Sequence, residues 1–201
     1  MLSGAAGFVA DLYLLATCRL QNPHSYFKFL AINQARRATH STTFIETGTY
    51  LGGTAYRCSK VFDAVYTIEL SPEIAQQARR NLAACRNVEV IQGDAAVELE
   101  NILRRRPVER ATVFLDGHFS GGDTAHGTVA EPALQELEIL ARHRERINAI
   151  VIDDFRNFGV EPGHPPKSHV LRSLETHFPE TDFTIRVQND QVIVTRKQCM
   201  S

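Results

Sequence analysis

The stretch FIETGTYLGGTAY, Phe44 to Tyr56, decides how the rest of the chain reads. Phe44 and Ile45 close a short apolar run of the kind that forms a buried parallel strand, and Glu46 stands at its tip. Gly48 to Gly53 supply a tight turn, where glycine allows unusual dihedrals and a close approach of backbone to a ligand. From Thr54 the pattern becomes helical. A helix start directs its unpaired N–H groups and positive dipole end back over such a turn. Strand, glycine turn and helix together predict a pocket for a small nucleotide-like molecule. The spacing is E-x-G-x-x-x-G rather than the G-x-G-x-x-G of a dinucleotide site. An acid ahead of the first glycine suits a cationic ligand and repels a pyrophosphate.

Outward from this turn the chain alternates strand and helix. Thr43 to Thr47 is the first strand, with a helix from about 53 to 61. AVYTIEL, Ala64 to Leu70, is the second strand and carries Glu69 near its end. Ser71 and Pro72 then provide an N-cap and first turn for a helix to about 84. A third strand around Val88 to Ile91 leads through Gly93 and Asp94 to a helix over 95–105, which Pro107 stops. ATVFLDGH, Ala111 to His118, is a fourth strand ending in Asp116. After a long loop, a helix from Pro132 to about Arg146 carries an apolar stripe of Leu134, Leu137, Leu140 and Ala141. AIVIDD, Ala149 to Asp154, is the fifth strand. A helix over 167–177 and a hairpin of FTIRV and QVIVT complete the chain. Ahead of all this, Ser25 to Ala38 places Phe27, Leu30, Ala31, Ala35 and Ala38 near helical spacing.

Five strand–helix alternations and a final hairpin predict an α/β fold, a doubly wound, mostly parallel seven-stranded sheet with an antiparallel C-terminal edge. Ligands bind such sheets beyond the carboxyl ends of the strands. Glu46, Glu69, Asp94, Asp116, Asp153 and Asp154 all follow apolar runs, so a shared polar cleft is expected there. At 201 residues the chain is long enough for one domain over 41–201, with 1–40 as a helical segment that caps it or makes a dimer contact.

Net charge is −1 with both signs mixed, which argues against a nucleic-acid partner. The cluster Arg104 to Arg106 reads as a helix end, where cations complement the dipole. Four cysteines, Cys18, Cys58, Cys85 and Cys199, form no C-x-x-C pair, as expected of reduced thiols in a cytoplasmic protein. The apolar stretch from Leu2 to Cys18 contains Asp11 and falls short of the ~20 residues of a spanning helix. It reads as a packing helix, with a peripheral membrane or oligomer contact as the alternative.

Several acids have definite chemical uses. Glu69 lies 23 positions after Glu46, near the ~20-residue spacing that places a carboxylate on a ribose diol. Asp94 can cap the helix that starts at Ala95 and can also face a base. The set resembles class I S-adenosylmethionine-dependent methyltransferases in motif order over roughly residues 43–160. LDGH, Leu115 to His118, and VIDDF, Val151 to Phe155, are similar to the D-G-x-H-type group that includes sugar and macrolide O-methyltransferases, and to catechol-type enzymes. The resemblance implies a Rossmann-like methyltransferase fold that binds S-adenosyl-L-methionine through Glu46, Gly48, Thr49, Gly52, Glu69, Asp94, Ala95 and Asp116. It also implies that Asp116, Asp153 and Asp154 occupy metal positions, where hard carboxylate oxygens suit Mg2+ or Mn2+. The chain departs from the group in two places: His118 follows Asp116 by two residues where the family often has three, and Asp154 stands where asparagine is usual.

The activity so implied is O-methylation of a small-molecule or sugar-like acceptor. His118, with an ordinary pKa of ~6.5, suits general-base work, or it orients Asp116. His126 and His164 lie in the two flexible loops. Gly117, Gly121, Gly122 and Gly127 make the first loop either a lid or a solvated surface loop. The residues alone also fit a metal-dependent hydroxylase, a nucleotide-linked oxidoreductase, or a binding domain that retains the pocket.

Overall fold

The structure, a computed structural model, describes residues 25–116, 132–161 and 164–198. The expected helix over Leu2 to Cys18, the candidate base His118, His126 and the glycine-rich loop that follows Asp116 lie outside them.

The strands are β1 (Thr43–Thr47), β2 (Ala64–Glu69), β3 (Val88–Gln92), β4 (Ala111–Leu115), β5 (Ile147–Ile152), β6 (Phe183–Gln188) and β7 (Gln191–Arg196). The helices are α1 (Ser25–Thr39), α2 (Gly53–Cys58), α3 (Pro72–Leu82), α4 (Ala95–Arg105), α5 (Pro132–Arg142) and α6 (Lys167–His177). All seven strands form one sheet in the order β3-β2-β1-β4-β5-β7-β6. Strands β1 to β5 run parallel, and β7 runs antiparallel to both β5 and β6. The doubly wound sheet with an antiparallel end is therefore present. The chain steps outward from β1 to β3 and then returns to the other side of β1, so the strand order reverses between β1 and β4. Such a switch point opens a crevice at the carboxyl ends of the strands.

Each face of the sheet is covered, as an all-buried parallel sheet requires. On one face Phe44, Phe114, Val151 and Ile193 pack with Ile32 and Ala35 of α1 and with Ala55 and Cys58 of α2. On the other, Ile45, Val113, Leu115, Ile150 and Ile152 pack with Leu99, Leu103, Leu137, Leu140, Val170 and Leu174 from α4, α5 and α6. Local signals end the elements as expected at several points. The Ser71 side chain accepts from the Ile74 N–H to cap α3. Asn189 and Asp190, with φ of 49° and 65°, form the hairpin turn that needs positive φ at both central positions.

Three expectations are corrected. The apolar stripe of α1 is Ile32 and Ala35, with Leu30 and Ala38 exposed; two apolar stripes overlap in this helix, and the sheet selects one. In α5 Leu137 and Leu140 are buried as expected, but the buried face also takes in Ala133, Glu136 and Ile139, and leaves Leu134 and Ala141 half-buried at its edge. The helix after the long loop stops at Arg142, and a 3-10 turn over Arg144–Arg146 leads into β5.

Candidate active site

The glycine turn is pinned to the end of β2. The N–H groups of Gly48 and Thr49 both donate to the Ile68 carbonyl, at 2.9 and 3.0 Å. Gly48 and Gly52 have φ of 101° and 82°, in the left-handed region that favours glycine. The Tyr50 N–H donates to Glu69 Oε2 at 2.9 Å, and the Ser71 N–H donates to Glu69 Oε1 at 3.0 Å. One carboxylate thus ties the turn to the start of α3. A carboxylate oxygen accepts more than one bond, so both retain capacity for a diol. Asp94 caps α4 by accepting from the N–H groups of Ala96 and Val97 at 3.0 and 3.2 Å, which places Ala95 in the first turn. Glu46, Gly48, Thr49, Gly52, Glu69, Asp94 and Ala95 therefore meet at one end of β1 to β3. Leu70 and Val97 present exposed apolar surface beside them.

Glu46 is buried, one residue inside the end of β1 rather than at a solvated tip. The Thr67 hydroxyl donates to its Oε2 at 2.7 Å. Thr67 has a single hydroxyl hydrogen, so Thr49, 2.6 Å away, is the donor to Thr67. Burial pushes the Glu46 carboxyl up to about 8, although the Thr67 hydroxyl lowers it. Glu46 reaches the glycine turn through Thr67 and Thr49.

The second group of acids is set by strand periodicity. Side chains alternate across a sheet, so Glu46, Asp116 and Asp153 continue the rows that begin with Phe44, Phe114 and Val151, all on the face covered by α1. Here α1 contributes a residue that sequence reasoning missed. Lys28 Nζ lies 2.9 Å from both carboxylate oxygens of Asp116 and 2.6 Å from Oδ2 of Asp153. It also sits 5.9 Å from the centre of the Phe114 ring. Burial works against the Lys28 ammonium, but Asp116 and Asp153 more than offset it and hold its pKa above the ordinary lysine value. Burial holds Asp116 above the usual carboxylate range; Lys28 opposes the shift and Asp153 reinforces it. Asp153 is fully buried and accepts on Oδ1 from Gln191 Nε2 at 2.8 Å.

Asp154 follows in the left-handed conformation, φ 51°, and pairs with Arg156 Nη1 at 2.9 Å. Arg156 also pairs with Asp190 of the hairpin turn, whose carbonyl accepts from the Phe155 N–H at 2.8 Å. One oxygen from each of Asp116, Asp153 and Asp154 lies within 4.8 Å of the others. Three converging carboxylates fit a hard divalent cation, with the Lys28 ammonium already between two of them.

The sequence did carry faint signals for the missed residues. Lys28 stands at i−4 and i−7 from Ile32 and Ala35, a charge on an apolar stripe. Glu136 stands in the same way between Ala133 and Leu140 of α5. It is buried, and that burial pushes its carboxyl up to about 8, with the Thr47 hydroxyl lowering it.

No protein-family model and no curated protein matches the sequence. Solved structures do. An O-methyltransferase from Bacillus cereus in complex with SAH is 17% identical, with a TM-score of 0.62 over 96% of this chain and 91% of its own. The O-methyltransferase TomG from Streptomyces achromogenes, involved in tomaymycin synthesis and in complex with SAM, is 19% identical, with a TM-score of 0.58 over 85% of this chain and 79% of its own. The SAH-bound Podospora anserina methyltransferase PaMTH1 is 14% identical, with a TM-score of 0.58 over 84% and 77%. At these identities the likeness establishes architecture: this chain has the Rossmann-like fold of the class I S-adenosylmethionine-dependent methyltransferases.

Proposed function

We propose that this protein transfers the methyl group of S-adenosylmethionine to an oxygen of a small-molecule acceptor. The observation that carries the reading is the convergence of two dissimilar half-sites across the switch point. The glycine turn, Glu69 and Asp94 gather at β1 to β3, and Asp116 and Asp153 gather at β4 and β5. Fold alone does not name an activity; the residues at the strand ends support it.

Glu69 would hold the cofactor's ribose diol, Asp94 and Val97 would face its adenine, and the glycine turn would receive its cationic methionine end. When bound, the cofactor would supply a methyl group on a sulfonium, which would leave as a neutral thioether as the acceptor oxygen bonds to the methyl carbon. The acceptor's proton passes to a base, for which His118, two residues beyond Asp116, is the assigned residue. The protein's contribution is alignment of oxygen and methyl and exclusion of water. Asp116, Asp153 and Asp154 would hold a divalent cation, and such an ion would lower the acceptor hydroxyl's pKa. The mixed charge of the chain supports a small acceptor over a nucleic acid. Cys58 and Cys85 are buried free thiols, which supports a cytoplasmic setting. No helix among the described residues is long and apolar enough to cross a membrane.

Thermal denaturation with S-adenosylmethionine and with NAD tests the cofactor. The first should raise the melting temperature and the second should not. Gly48→Val, at a position with φ of 101°, should lose cofactor binding by calorimetry while still unfolding cooperatively. Unchanged affinity in that variant would remove the proposal's basis.

A further inference from the structure

A single tethered ammonium already pairs with two of the acids that a metal would use. Lys28 Nζ is 2.9 Å from both oxygens of Asp116 and 2.6 Å from Oδ2 of Asp153. A divalent ion would take these same oxygens at about 2.0–2.6 Å. Two cations on the same oxygens would repel each other at short range, so occupancy by one disfavours the other. The remaining donors are engaged as well. Gln191 donates to Oδ1 of Asp153, and Arg156 pairs with Asp154. Lys28 is attached to α1, which Ile32 and Ala35 anchor to the sheet. Its ammonium is therefore present at high effective concentration and loses no translational freedom on pairing. Magnesium, by contrast, must shed water reluctantly to enter.

We propose that Lys28 is the resident cation of this site, and that a divalent metal enters only by displacing it. Helix α1 then sets the metal affinity of the cluster from 88 positions away from Asp116 in the chain. The inference concerns the site assigned above to the acceptor, but its test needs neither turnover nor a known acceptor.

The test is manganese titration of the full chain, with the free aquo ion read by electron paramagnetic resonance. Wild-type protein should bind manganese weakly. Lys28→Met removes the charge at similar length, and Lys28→Gln keeps a hydrogen-bond donor to the carboxylates. Both should bind one ion at least about tenfold more tightly, because the tethered competitor is gone. Adding Asp153→Asn to Lys28→Met should remove the gain. Wild-type binding as tight as that of the neutral variants overturns the proposal, as does absence of binding in those variants. Calorimetry with S-adenosylhomocysteine on the same proteins keeps the two readings apart. No cofactor binding by the wild type would remove the methyltransferase reading and leave the manganese comparison standing.

Discussion

At the ends of β1 and β2 the acids meet hydroxyls and backbone N–H groups, whereas at the ends of β4 and β5 they meet an ammonium and a guanidinium. Glu46 is bonded by Thr67, and Glu69 by the N–H groups of Tyr50 and Ser71. Asp116 and Asp153 share Lys28, and Asp154 is paired with Arg156. The first arrangement leaves lone pairs for a ligand that brings its own hydroxyl donors and its own positive charge. The second arrangement has its positive charge built in. A methyl donor and an acceptor oxygen differ in the same sense, one cationic and one developing negative charge. The contrast is thus what group transfer between them would require.

The largest effect that would break this contrast is Lys28→Met. It leaves the fully buried Asp153 without its cation, and breaking a buried pair from one side costs about 3–5 kcal/mol. Urea denaturation at neutral pH should show that loss, and manganese should restore part of it in the variant but not in the wild type.

Next in size is a pH effect beneath the first half. Glu136 is raised from 4.5 to about 8, chiefly by burial, with the Thr47 hydroxyl opposing and Asp94 reinforcing. The folded state therefore holds this proton more tightly than the unfolded state does. The resulting stability is complete below the unfolded value and is lost as pH rises through about 8. Glu136→Gln should remove this residue's share of the decline, on the order of 3 kcal/mol. Denaturation midpoints measured across that range would check it, and an unaltered slope would refute it.

Smaller effects sharpen the first half. Gly52 has φ of 82°, and a Cβ there would lie 2.7 Å from Leu82 Cδ1. Gly52→Ala should cost about 1–2 kcal/mol in thermal or chemical denaturation and weaken cofactor binding, since the turn must shift. Asp94→Ala should cost about 1 kcal/mol through loss of the α4 cap. Asp94→Asn retains an accepting oxygen, so its stability should stay near the wild-type value. Cofactor affinity in the asparagine variant then reports the carboxylate's contact with the ligand separately from the cap.

The order of strands and helices, the glycine turn after β1, the Ser71 and Asp94 caps, and the acids at the strand ends are all legible in the sequence. These depend on interactions within a few residues: the two-residue period of a strand, a cap reaching two or three positions on, and the dihedrals that glycine allows. Even Glu69 reaches Tyr50 across only one helix and the strand that follows it. Packing between distant segments is what seals Glu46 on the face that α1 and α2 share, turns Ile32 rather than Leu30 to the sheet, and closes Lys28 on Asp116 and Asp153. The partner of a buried charge is selected by which helix covers which face. That selection follows from sheet order and packing between distant segments, and it has no period in the sequence from which it could be read.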